Sequence, residues 1–259
     1  MAFDVHLGPQ DRALQLLWRW WLLLVAAGTL TTCGPDHELD CLKSTGPVET
    51  THRELPAFHT FTVYDNVDVI IVPDTRFFAE VRTGRNLQED LELRVQDSAL
   101  VIENTSRCNW VRRYDVPREV RLHLPSVVNI YQRGENSIRT ASPLRTDALF
   151  CHLIGAGDVD LEVDCRYLAL SQYELGDIRL RGRTDELHFT LGGLGRLFAQ
   201  ELTTTDCYFQ TNHDSGGDAH VRASRLIGGR HAGAGTLFYA GQPAAVDISV
   251  TGKGKAIPE

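Results

Sequence analysis

The chain has 259 residues, of which 42% are hydrophobic and 23% charged, with a formal net charge of −8. That composition supports a folded chain with a substantial core and argues against general disorder. Nucleic acid is held by an excess or stripe of Lys and Arg, and none occurs here. The short cluster Arg107, Arg112, Arg113 sits among acidic and apolar residues and reads as a solvated face.

In chain order, residues 1–32 read as a targeting segment. Arg12 and Arg19 precede or open an apolar run, and its uninterrupted part, Trp20 to Leu30, is too short to span a bilayer. Basic residues, a short apolar stretch and small residues form the layout of a secretory signal. The run ends in Leu30-Thr31-Thr32-Cys33-Gly34, which resembles a bacterial lipobox except at Thr32, where a smaller residue is usual. Cys33 is therefore the expected lipidated N-terminus, and its acyl chains would hold the protein on a membrane.

Six cysteines occur, at positions 33, 41, 108, 151, 165 and 207, and no two have the CxxC spacing of a zinc or redox centre. Cys41 and Cys108 flank the first strand-rich block and are expected to pair. A disulfide closing so long a loop would contribute about 4 kcal/mol by the chain-entropy account.

Residues 33–54 read as a polar tether. A β block follows at 55–119, with alternating runs FTVYD (61–65), VDVIIV (67–72), FFAEVRT (77–83), LELRV (91–95) and ALVIEN (99–104). Turn signals lie at Pro73-Asp74, Thr83-Gly84 and Gln96-Asp97, and no segment here sustains a helical period.

Across 120–259 a repeat emerges. Its anchors are Gly157, Gly176, Gly195, Gly217, Gly235 and Gly254, in steps of 19, 19, 22, 18 and 19 residues. Eight residues before each stand Leu149, Leu168, Leu187, Phe209, Ile227 and Val246. Two residues after stand Val159, Ile178, Leu197, Ala219, Leu237 and Ala256. An earlier, degenerate copy puts Asn136 at the anchor. One such unit is too small to bury its own apolar face, and stacking units makes a continuous core. The expectation is an all-β chain: a right-handed parallel β-helix, or solenoid, with rungs of about 19–20 residues, preceded by a strand-rich block that caps the first rung. Residues 55–259 would form one continuous domain, with the anchor glycines supplying positive φ at the corners. Lys253, Lys255 and Pro258 would discourage strand addition at the far end.

No cofactor, metal or catalytic residue is expected. Asp158, Asp160, Asp177 and Asp218 follow corner glycines and read as turn chemistry, each bonding its own backbone. The other readings are calcium sites or the carboxylate pair of a glycosidase. His213 and His231 both stand four residues before their anchors, in the column of Leu153 and Leu191, where stacked imidazoles would offer a metal two ligands; His220 lies nearby. Cys151 reads as a small buried hydrophobe. Trp110, Tyr114, Tyr131, Tyr173 and Tyr208 are candidates for a surface that takes a glycan or a protein.

The opening ELPAFHTFTVYDNVDVII, the stretch NLQEDLELRVQDSALVIEN and the final LFYAGQPAAVDISVTGKGKAIP resemble the head domain of auto-transporter adhesins, the GIN domain, over roughly residues 53–259. The Tyr-x-Gly-x-Pro motif, Tyr239, Gly241 and Pro243, is the most specific part. The resemblance implies a solenoid-like all-β domain in the envelope of Bacteroidetes-type bacteria, with no catalytic residues to carry over. The expected protein is thus exported, lipid-anchored in the bacterial cell envelope (most naturally the outer membrane) and non-enzymatic. It would act as a binding, adhesion or scaffold module toward an envelope or extracellular glycan or protein. The alternative is a carbohydrate-active β-helix enzyme.

Overall fold

The structure is a computed structural model and describes residues 44–106 and 116–259. The signal segment, Cys33, Cys41, Cys108, Trp110 and Tyr114 lie outside the described residues, and so do the expected lipidation and disulfide.

Among the described residues, eighteen strands form one continuous hydrogen-bonded system. The repeat region holds β8 (Asn129–Gln132), β9 (Ile138–Thr140), β10 (Leu144–Leu153), β11 (Val159–Gln172), β12 (Ile178–Leu191) and β13 (Leu197–Thr211). After them come β14 (Ala219–Arg222), β15 (Leu226–His231), β16 (Thr236–Ala240), β17 (Ala245–Val250) and β18 (Lys255–Pro258). All pair in parallel with the equivalent strand of the next rung. The chain is a parallel β-solenoid.

Alternation along each strand sends one set of side chains inward. In β11, Leu168, Leu170 and Gln172 are buried while Tyr167, Ala169 and Ser171 face out. The long strands turn a corner where two successive residues, such as Arg166 and Tyr167, both point outward. Inside, equivalent aliphatics stack in columns, and burying each Leu or Ile contributes about 2 kcal/mol. One column runs Val69, Ile138, Val159, Ile178, Leu197, Ala219, Leu237 and Ala256. The other runs Leu149, Leu168, Leu187, Cys207, Ile227 and Val246. Its fourth member is Cys207 where the sequence spacing had suggested Phe209. The rung of that residue carries extra length in two places. One is a bulge between Arg179 and Arg181 of β12 and the facing part of β13; the other is the corner after Thr211. Phe209 instead continues the column Cys151, Leu170, Phe189 and lies ring on ring with Phe189 at 5.5 Å.

The anchor glycines stack directly, for a reason other than the one expected. None has positive φ; among the described glycines that conformation belongs to Gly46, Gly182, Gly229 and Gly241. The constraint is proximity. A Cβ on Gly157 would lie 1.9 Å from the carbonyl oxygen of Asn136, and one on Gly176 would lie 2.3 Å from that of Gly157. The ladder continues with 2.0 Å at Gly195, 1.9 Å at Gly217, 2.1 Å at Gly235 and 2.1 Å at Gly254, each measured to the preceding anchor's oxygen. Each corner is packed so closely on the last that only a residue without a side chain fits.

The N-terminal block contributes rungs of its own. It holds β1 (Val48–Glu54), β2 (Thr60–Val63), β3 (Asp68–Pro73), β4 (Phe78–Gly84), β5 (Leu91–Gln96), β6 (Ala99–Asn104) and β7 (Glu119–Leu124). β2 lies between β6 and β8, and β3 between β7 and β9, all parallel. The rung made first in sequence is therefore sandwiched between two made later. Antiparallel strands close the stack: β4 on β7 with β1 outside it, and β5 on β6 through a turn in which Asp97 and Ser98 both have positive φ. β1 occupies part of the segment read as tether. Its residues VETTHRE are polar on both faces, so they carry no hydrophobic period. Its backbone ladder to β4 holds it, together with the Arg53 guanidinium, which donates to the carbonyls of Leu91 and Gln88, both at 2.6 Å.

Candidate functional site

Polar residues in the core are explained by the corners. One inward column reads Gln132, Leu153, Gln172, Leu191, Thr211, His231, Val250. Gln132 donates to the carbonyl of its own anchor, Asn136, and Gln172 donates to those of Glu174 and Gly176. Thr211 Oγ1 accepts from the amides of Ala232 and Gly233 at 2.9 Å. His231 bonds Thr211 Oγ1 at 2.8 Å and Gly235 O at 2.7 Å, so both ring nitrogens are engaged. His213 is fully out on the lengthened corner, beside Asp214. The His213–His231 pairing therefore does not form, because the two extra corner residues put Thr211 in the column instead. Among the described residues no group of three or more His, Cys, Asp or Glu is placed to hold a metal.

The aspartates after the anchors bond across rungs and not to their own turns. Asp158 accepts the amide of Asp177 at 2.9 Å, Asp177 that of Arg196 at 2.9 Å, and Asp218 that of Thr236 at 2.7 Å. Asp68 does the same for Ser137 at 3.0 Å. Arginines add ion pairs to some of them: Arg179 on Asp158 at 3.3 Å, Arg179 and Arg196 on Asp177, and Arg181 on Asp160 at 2.8 Å. On the neighbouring flank Arg166 grips Asp147, Arg183 grips Asp164 and Arg225 grips Asp206, each pair one rung apart. The hydrogen bonds from Arg166 and Arg183 hold the carboxyls of Asp147 and Asp164 below the usual carboxylate range. These pairs fasten rungs together.

Cys151, Cys165 and Cys207 are buried free thiols. Burial pushes Cys151 up to about 12 and raises Cys207 and Cys165 as well, so none is a ready nucleophile at neutral pH.

One outer face differs from the rest. On the sheet formed by β8, the end of β10, β11, β12, β13 and β15, the outward residues make two columns. The first is Asn129, Phe150, Ala169, His188, Tyr208, Gly228; the second is Tyr131, His152, Ser171, Thr190, Gln210, Arg230. Rings meet across rungs: Tyr131 stacks on His152 at 4.7 Å and His188 on Tyr208 at 4.8 Å, while Tyr167 lies tilted against His188 at 4.9 Å. Because Ala169 leaves its place in the first column empty, Tyr167 fills it from the adjoining corner, 5.7 Å from Phe150. Between the two columns runs an open depression of about 330 Å³ that spans three rungs. His188 and Tyr208 form one wall, and Ser171, Thr190 and Gln210 the other. The floor is Leu170, Phe189 and Phe209. No charged residue lines it. Other depressions on the molecule are lined by Asp147, Asp164, Arg166, Arg183 and Asp185, or by Arg179, Arg181 and Glu201. Charged groups stand at its rim: Glu186 lies 3.3 Å from His188 Nε2, and Arg230 is the register partner of Gln210 on the next strand.

Of the aromatics singled out from sequence, Tyr131 and Tyr208 share this face, while Tyr173 is exposed at a glycine corner. Phe150, His152, Tyr167 and His188 were not anticipated. Their signal was present as aromatic and imidazole residues recurring about one rung apart.

The fold is thus a parallel β-solenoid with an aromatic-lined groove on one outer face and many of its aspartates tied into inter-rung bonds. Residues 57–243 match the family model described as "Putative auto-transporter adhesin, head GIN domain", and the chain belongs to that family. Within the matched segment, Tyr239 packs against the core and Gly241 (φ +96) makes the turn that follows it. Solved structures share the fold. A putative adhesin from Bacteroides fragilis NCTC 9343 superposes with a TM-score of 0.75 at 19% identity, covering 82% of this chain and 97% of its own. A putative lipid binding protein from Parabacteroides distasonis ATCC 8503 gives 0.60 at 17%, covering 83% and 98%. A putative adhesin from Parabacteroides merdae ATCC 43184 gives 0.57 at 17%, with the same coverage. No curated protein matches the chain.

Proposed function

We propose that this protein is an exported, lipid-anchored component of the bacterial cell envelope that binds an extended ligand along its solenoid and performs no covalent chemistry. The observation that carries the reading is the axial groove, a hydrogen-bonding surface three rungs long whose lining holds no Asp, Glu, Lys or Arg, unlike the charged depressions elsewhere on the solenoid. Membership of a family named for adhesin heads supports a binding role at the envelope or cell surface. The non-enzymatic reading is supported by the use of these carboxylates: Asp158, Asp177 and Asp218 are committed to backbone amides, and Asp147, Asp164 and the buried Asp206 to arginines. Cys33, after Leu30-Thr31-Thr32, supports the anchor.

Protease shaving of intact cells, with lysed cells as control, tests the location. Loss of the β-domain from intact cells is the expected result for a surface-facing binder. Protection until lysis would put the domain in the periplasm and replace adhesion with a role inside the envelope. Incorporation of labelled palmitate by the wild type, and its loss in Cys33→Ala, tests the anchor; equal labelling of both would remove it.

A further inference from the structure

We infer that the groove between the His188–Tyr208 and Ser171–Thr190–Gln210 walls binds a segment of a neutral polysaccharide running parallel to the solenoid axis; this rests on the binding role proposed above. Three features point to that chemistry. The first is charge. The lining contains only aliphatic, aromatic, hydroxyl, amide and imidazole groups, in a protein with a formal charge of −8. An anionic glycan or an anionic lipid headgroup would call for arginines in the lining, and none lines the groove; Arg230, which follows Gln210 in the second column, stands one rung beyond it.

The second is the spacing of polar groups. Ser171, Thr190 and Gln210 are register partners on successive parallel strands, so their polar ends recur every rung, about 4.8 Å apart. A chain of repeating hydroxylated units laid along the axis meets the same kind of donor and acceptor at each step. A peptide strand would be served poorly, because the backbone groups of these strands are already consumed in the inter-rung ladder and offer no edge along this face.

The third is the opposite wall. The rings of Phe150, Tyr167, His188 and Tyr208 follow one another in tilted and stacked contacts, so they present an aromatic edge with phenol and imidazole groups as polar tips. That supplies an apolar rail with hydrogen-bonding ends, suited to a ligand that alternates C–H and O–H surface. The rail is rigid, because each ring is held by the next, so little side-chain freedom is lost on binding.

The test is retention of the full-length protein, in detergent micelles, on immobilised polysaccharides. A neutral β-glucan and a neutral mannan are compared with polygalacturonate, and flotation with phosphatidylglycerol vesicles runs in parallel. Retention on at least one neutral polysaccharide is expected. It should weaken at least tenfold in Tyr208→Ala, and also in Thr190→Asp, which puts a charge in the groove at a partly exposed position. Arg222→Ala, on a different outer face, should bind like the wild type, and matching far-ultraviolet circular dichroism would show that the variants fold. Retention only on polygalacturonate, or only flotation with vesicles, would overturn the neutral-glycan assignment while leaving a binding role in place. Neutral-glycan retention unchanged in both groove variants would also overturn it, by moving the site elsewhere on the solenoid. Absence of binding to every probe, from a folded wild type, would sink both this inference and the binding role on which it rests.

Discussion

The two ends of the solenoid solve the same problem by different means. A parallel stack must stop somewhere, and its last strands expose a row of unpaired backbone groups and the bare end of the core. At the N-terminal end β4, β1 and β5 run antiparallel to the strands they cover, and Arg53 reaches from β1 to carbonyls at the start of β5. At the C-terminal end β17 and β18 have a neighbour on one side only among the described residues. There Val246, Val250 and Ile257 are 49%, 45% and 38% exposed. Two of the chain's three lysines, Lys253 and Lys255, stand at this end. Among the described residues each end keeps edge strands with one neighbour, but antiparallel strands cover the first end and the parallel stack itself stops at the second, beside two lysines.

The sharpest way to break that comparison is to make one substitution at the middle and at the open end. Gly195→Ala would drive a methyl to 2.0 Å from Gly176 O, with rungs packed on both sides, and Gly254→Ala would do the same at 2.1 Å from Gly235 O in a rung with one neighbour. Chemical denaturation should show a loss of about 3 kcal/mol for the first and about 1 kcal/mol for the second, because the end rung can shift. Equal losses would mean that the last rung is as constrained as the centre.

Removing the tie across the closed end should have the next largest effect. Arg53→Ala strands the carbonyls of Leu91 and Gln88 and should cost about 2 kcal/mol. An Arg53→Lys variant should recover only part of it, since an ammonium lacks the guanidinium fork.

The charged end can be probed by solubility instead of stability. Lys253→Ile with Lys255→Ile should produce concentration-dependent association in sedimentation velocity, whereas Glu92→Ile on β5 at the closed end should leave the protein monomeric to the same degree as wild type. Association in neither variant would show that the shape of the last rung, and not its charge, keeps copies apart.

The smallest effect concerns acid. Asp74, Asp147 and Asp164 have folded pKa values below the ordinary one, chiefly through hydrogen bonds from His123, Arg166 and Arg183 respectively. For a depressed carboxyl the stabilisation is complete above the unfolded value, about 4, and is lost as pH falls below it through the folded value. The melting temperature should therefore drop on acidification from pH 5 to pH 3, and Asp164→Asn should drop less. These groups are solvent-exposed, so salt should shrink the difference.

Much of the fold was legible because the stack repeats its physics. Stacked aliphatics and side-chain-free corners reappear at a fixed step, so Gly157 to Gly254 and the columns beside them stand out even without knowledge of the corner geometry. The misplacement of Phe209 and His213 shows the limit of that method: a bulge and a lengthened corner shift register without changing composition. β1 was invisible because a strand held by its backbone and one arginine needs no apolar face. The polar corner column was seen only at His231, and there as a metal candidate, since Gln132 and Gln172 stand where aliphatics also fit and only the carbonyls that all three satisfy explain them. The groove was half legible: Tyr131 and Tyr208 were candidates, but the ring contacts joining Tyr167 to both Phe150 and His188 depend on the small side chain of Ala169 in three dimensions.

The interleaved start of the stack also governs how the chain can fold as it is made. The unit formed by β2 and β3 appears first during synthesis, yet its two flanks are covered by β6 and β7 on one side and by β8 and β9 on the other. No early product can therefore be finished in order, one coil after the next. Whether the chain is delivered by synthesis or by export, the segment to Thr140 must be available before the first coil has both neighbours, so a partly delivered chain carries open flanks. The later coils, by contrast, can be laid down one at a time on a finished template, so commitment to this architecture falls within its first 140 residues.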